Sequence, residues 1–113
     1  METVAHLQSK VNQVIDNYLQ QLRQPANQNI HFEAIIDTQG NHYQIIALGW
    51  EDNHRVFNLL FHLDIIDNKI WVQEDKMEYS IAEMLVEQGV SKKDIVLAYF
   101  PEYHREHTEY AVG

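Results

Sequence analysis

Val4, Leu7, Val11, Val14, Tyr18 and Leu22 recur every three or four residues, with Gln8, Lys10, Gln13, Asn17 and Gln21 between them. That period predicts an amphipathic helix of about 20 residues, roughly 30 Å long, which packs one stripe on the rest of the fold. The Gln24-Pro25-Ala26-Asn27 stretch should stop it, because the residue before a proline is pushed out of the helical region. From Asn29 the period becomes two: Ile30, Phe32, Ala34 and Ile36 alternate with His31, Glu33, Ile35 and Asp37, the signature of a strand. Thr38-Gln39-Gly40-Asn41 is turn chemistry, His42 to Trp50 reads as a second strand, and Glu51-Asp52-Asn53-His54 reads as another tight connection. A third strand is expected over Arg55 to Ile66, a turn at Asp67-Asn68, and a fourth strand over Lys69 to Glu74.

A short second helix follows from two end signals. Ser80 with Glu83 three residues on matches a capping box, and Gly89 before Val90 matches a left-handed C-terminal cap. Ile81, Met84 and Leu85 supply its apolar face. Ile95 to Phe100, closed by Pro101, is expected to form a fifth strand buried on both faces, and Glu102 to Gly113 a helical turn or an extended tail. The fold class expected is α+β: an antiparallel meander of four to five strands, a long N-terminal helix and a short second one. At 113 residues, without a linker or internal repeat, the chain should form a single domain, 1–113.

Composition narrows the function classes. There is no cysteine, which removes thiol nucleophiles, thiolate metal sites and disulfide frameworks. No apolar run approaches the roughly 20 residues of a membrane span, and the Met-Glu-Thr-Val start lacks the regions of an export signal, so a cytoplasmic protein with no membrane partner is expected. The net charge of −9 argues against a broad DNA-binding surface, which needs Lys and Arg to neutralise phosphates. Gly40, Gly49, Gly89 and Gly113 are each isolated, so there is no phosphate loop, and Lys92-Lys93 is too small for a duplex footprint.

Three groups of residues carry candidate chemistry. Asp64 with Glu74 and Lys76 resembles the metal-binding pattern of restriction-type nucleases. A two-residue turn at Asp67-Asn68, however, would set Asp64 opposite Trp71 and Glu74 opposite Phe61, on opposite faces. A loop one residue longer would restore a common face, so a metal-dependent nuclease-like enzyme using Asp64, Glu74 and Lys76 stands as the alternative function. His104 and His107 are two ligands without a third, so no metal site is assigned. His62 and Asp64, two apart on one strand face, suit a histidine–carboxylate couple with no nucleophile placed to use it. Against these stands an excess of apolar sheet surface. Phe32, Ala34, Ile36, Tyr43 and Ile45 are expected on one face and Phe57, Leu59, Phe61 and Leu63 on the other, more than two helices can cover. Such surface marks association, here a homodimer, a partner protein, or both.

Five ordered blocks, Asp37 to Trp50 (DTQGNHYQIIALGW), His62 to Asp75 (HLDIIDNKIWVQED), Ile81 to Val90 (IAEMLVEQGV), Lys93 to Leu97 (KDIVL) and Thr108 to Val112 (TEYAV), resemble the XisI family, the fdxN element excision controlling factors of cyanobacteria. Asn68 stands where that family typically has glycine, and Phe100-Pro101-Glu102 replaces a His-Pro-Pro-like segment. The resemblance implies an accessory protein without catalytic residues or a cofactor. It would control programmed DNA excision in heterocyst development beside a site-specific recombinase and a nuclease-like companion. The interaction candidates are Trp50, Arg55, His62, Asp64 and Trp71 on strand ends and faces, and Arg105 in the tail.

Overall fold

A computed structural model of the chain describes residues 3–23 and 29–113. The expected helix stop at 24–27 and the first two residues lie outside the described residues. Helix α1 spans Val4–Leu22, opened by Thr3, whose side-chain oxygen accepts the His6 amide at 3.1 Å. Its stripe of Leu7, Val11, Val14, Ile15, Tyr18 and Leu19 is buried. Strands β1 (Ile30–Asp37), β2 (His42–Glu51), β3 (His54–Ile66) and β4 (Lys69–Asp75) form the antiparallel meander, and β5 (Ile95–Leu97) joins β4 in parallel, giving the order β1-β2-β3-β4-β5. Helix α2 covers Ile81–Glu87 and a 3₁₀ turn Lys92–Asp94 leads into β5.

The turns obey the chemistry of their residues. Asp67 and Asn68 both have positive φ, 51° and 60°, in the two-residue loop that pairs Ile66 with Lys69. Asn68 therefore takes the left-handed conformation that a glycine would otherwise supply. The Asp37 carboxylate accepts the amides of Gln39 and Gly40 at 3.1 and 3.0 Å, which fixes the first turn. Gly89, at φ 99°, ends α2 as expected.

One face of the sheet carries the core. Tyr43, Ile45, Phe61, Leu63, Ile70, Val72 and Ile95 are fully buried with the stripe of α1 and with Ile81 and Leu85 of α2. Both helices thus pack on the same face.

Four expectations change. Phe61 and Leu63 share the core face with Tyr43 and Ile45, because β3 carries a bulge: Ile45 pairs with Phe61 but Ile46 pairs with Leu59. The extra residue, Leu60, packs against the core beside Phe61, and the phase reversal sends Leu59 and Phe57 to the opposite face. A second bulge sets Glu74 opposite His62 rather than Phe61, and Asp75 opposite Phe61, while Asp64 does face Trp71. The Ser80 side chain does not cap α2. Asp75 does so instead, accepting the Ile81 amide at 3.0 Å through one oxygen and the Met77 amide at 2.9 Å through the other. The fifth strand ends at Leu97, since Phe100 donates back to the Leu97 carbonyl in a turn before Pro101. The tail takes both expected forms: helix α3 over Glu102–Arg105, then an extended end whose Ala111 bridges Val96 beside β5.

Candidate functional site

The face of the sheet turned away from both helices holds the chemistry. Residues directly paired across antiparallel strands share a face, so this outer face is read from the register. Along β2 and β3 it carries His42 opposite Asp64, Gln44 opposite His62, then Ile46 opposite Leu59, Leu48 opposite Phe57, and Trp50 opposite Arg55. A polar half is followed by an apolar half.

The polar half is built by the β3 bulge. Counting back from the Glu51–His54 pair without an inserted residue would set His42 against Leu63 and Gln44 against Phe61. Leu60 advances the register by one, and His42 meets Asp64. There the Asp64 carboxylate oxygen Oδ1 accepts from His42 Nδ1 at 2.6 Å and from His62 Nε2 at 2.8 Å. The other oxygen, Oδ2, accepts from the Gln73 side-chain amide at 3.2 Å, and the Gln44 amide lies 3.1 Å from His62 Nδ1. Burial pushes the Asp64 carboxyl up, but the hydrogen bonds from His42 and His62 and the charges on those rings outweigh it and hold the group below its ordinary value. The same hydrogen bond raises His42, against a smaller desolvation effect and aided by the charges of Asp64 and Asp37. The His62–Asp64 couple expected from their spacing is therefore present. His42, which the spacing did not single out, completes it.

Glu74 shares the register position of this face, yet among the described residues the ligand-bearing side chains that converge are His42, His62 and Asp64 alone. The Glu74 side chain accepts the Asp75 amide at 3.1 Å, and Lys76 is exposed with its amide on the Leu60 carbonyl. His104 stacks on Phe100 with ring centroids 4.1 Å apart, and among the described residues neither it nor His107 joins a group of three or more ligand-bearing side chains.

The other candidates fall into two clasps at opposite ends. Trp50 is half exposed, with the Arg55 guanidinium 5.5 Å over its ring and Arg55 Nη1 donating to the Gly49 carbonyl at 3.3 Å. Trp71 is held by the tail. Arg105 lies 5.7 Å over its ring, donating through Nε to the Phe100 carbonyl at 2.9 Å and through Nη1 to the Val112 carbonyl at 2.6 Å. Arg105 thus fastens the C-terminal segment. The eight residue steps from His42 to Trp50 put the two ends about 26 Å apart along the strand. Between them Ile46, Leu48, Leu59 and Phe57 form an apolar strip, with Phe57 64% and Trp50 52% exposed.

Among the described residues no helix is long and apolar enough to cross a membrane. The profile of a family described as XisI protein matches residues 1–112. The fold is similar to the crystal structure of a XisI-like protein from Anabaena variabilis ATCC 29413, 34% identical, covering 98% of this chain and 100% of that one with a TM-score of 0.88. It is also similar to the fdxN element excision controlling factor XisI from the same organism, 26% identical, covering 97% of this chain and 98% of that one with a TM-score of 0.79. Among the curated proteins none matches.

Proposed function

The chain belongs to the XisI family, and we propose that it is an accessory protein controlling programmed excision of a DNA element, acting through protein contacts and not through strand chemistry of its own. In this reading a site-specific recombinase cuts and joins the DNA in the cytoplasm of a heterocyst-forming cyanobacterium. The present protein works beside it as a homodimer and with a nuclease-like companion.

The observation that carries this reading is the uncovered strip of Ile46, Leu48, Trp50, Phe57 and Leu59. Both helices pack on the other face and the tail fastens at Trp71, so nothing in the chain's described residues covers it. Adjacent apolar side chains left on a sheet face favour burial against a second sheet, and a two-fold pairing of the same strip supplies one. The acidic surface, at net charge −9, suits a basic groove on the companion that would otherwise hold DNA.

Co-purification of the tagged protein with the nuclease-like companion at low and high salt tests the reading. A complex at low salt that weakens at high salt is expected. No complex at either removes the proposal, and cleavage of DNA by the purified protein alone would replace it with the nuclease reading.

A further inference from the structure

We infer that His42, His62 and Asp64 form a binding site for one divalent transition-metal ion of the zinc, nickel or copper type, separate from the apolar strip and independent of the role proposed above. Each of the three side chains offers a ligand atom within 4.8 Å of those of the other two, and His42 Nδ1 and His62 Nε2 already meet Asp64 Oδ1 at 2.6 and 2.8 Å. They stand on paired positions of two central strands, so the backbone scaffold is a sheet and not a loop.

Asp64 and His62 are each oriented by a neighbouring glutamine. Gln73 engages Asp64 Oδ2 and leaves Oδ1 for the ion. Gln44 engages His62 Nδ1 and leaves Nε2. A carboxamide has a donor and an acceptor of nearly the same shape. Gln44 therefore satisfies Nδ1 either as donor, when Nε2 carries the proton, or after an amide flip as acceptor, when the ion occupies Nε2 and the proton moves to Nδ1. Both states of the ring are supported by one residue. No net proton need leave a neutral imidazole.

The donor set selects the ion. Two imidazoles and one carboxylate suit zinc and its neighbours, whereas magnesium and calcium prefer oxygen. Bonds of about 2.0–2.1 Å place adjacent ligand atoms about 2.9–3.3 Å apart. The two contacts that His42 and His62 make with Asp64, at 2.6 and 2.8 Å, therefore open by only a few tenths of an ångström, within small rotations of the exposed His42 ring and the partly buried His62 ring. With His42 half exposed, the solvent side leaves one or more positions for water or for a donor from another molecule.

Zinc chloride titrated calorimetrically into the full chain is the test, with cobalt as a spectroscopic substitute and imidazole resonances as the residue-specific readout. One equivalent is expected to bind. The His42 and His62 resonances should respond together before those of His31, His54, His104 and His107. Affinity should fall at least tenfold in His42→Ala and in His62→Gln, and stay unchanged in the double variant His104→Gln, His107→Gln. A hundredfold excess of magnesium should not compete. The wild-type resonances decide the matter even where a variant fails to fold. Absence of saturable binding, a response confined to other histidines, affinity unchanged in both His42→Ala and His62→Gln, or displacement by magnesium each overturns the site.

Discussion

Gly49 is the residue whose side chain the sheet has no room for. Its φ is 149°, and a Cβ built there would lie 2.0 Å from the Asn29 carbonyl oxygen, where the chain entering β1 begins to pair with β2. The obstacle is backbone, so no rotamer relieves it. Gly49→Ala should destabilise the protein by about 2–4 kcal/mol in chemical denaturation, through strain and displacement of β1. Tyr18 supplies a pH-dependent counterpart. Its hydroxyl donates to the Tyr79 carbonyl at 2.5 Å, and burial, with the charge of Asp75 next, raises its pKa above 10.0. Above pH 10 the unfolded phenol ionises while the folded one resists, so this contribution is complete below that pH and is lost as pH rises further. Tyr18→Phe should cost about 1 kcal/mol at pH 8 by losing the hydrogen bond. The gap from wild type should narrow above pH 10, and denaturant midpoints compared at pH 8 and 10.5 read the difference.

At the scale of elements, α2 shows how a cap can come from outside its own helix. The Asp75 carboxylate takes two amides, those of Met77 and Ile81, so it ties the end of β4 to the start of α2. Asp75→Ala should therefore lower stability by about 2 kcal/mol, while Ser80→Ala should stay within about 0.5 kcal/mol of wild type. Equal costs for the two would mean that Ser80 caps in solution. Strand periods and turn residues were enough to place the meander, both helices and the two-residue turn at Asp67-Asn68, because each is written in a local pattern. The bulges were not legible. Leu59, Leu60 and Phe61 are all apolar and Gln73 and Glu74 both polar, so no break in the pattern marks the inserted residue. That silence hid the partnership of His42 with Asp64. It also put Phe61 and Leu63 on the wrong face in the unbulged reading, since a shift of one residue reverses every side chain beyond it. The His62–Asp64 couple was visible because two residues on one strand share a face without reference to any neighbour.

For the whole molecule, the two proposed contacts should respond to salt in opposite directions. The chain extends 46 Å in its longest dimension against 29 and 24 Å in the others. The apolar strip lies on the stretch of β3 that β4 no longer reaches, since their pairing stops at Phe61. Two copies meeting there bury Trp50 and Phe57, but each brings a net charge of −9, so repulsion opposes the pairing. Screening shortens the reach of that repulsion from about 10 Å at 0.1 M to about 3 Å at 1 M salt and leaves apolar burial intact. Self-association should therefore strengthen severalfold as salt rises, whereas an acidic surface held to a basic companion should weaken over the same range. Sedimentation equilibrium at 0.05 and 0.5 M sodium chloride measures the first, and co-purification the second. Phe57→Asp should abolish self-association at both salts and leave folding stability within about 0.5 kcal/mol, because Phe57 is exposed in the lone chain. A dimer that survives Phe57→Asp, or that dissociates as salt rises, is held by another surface, and the strip would then be unassigned.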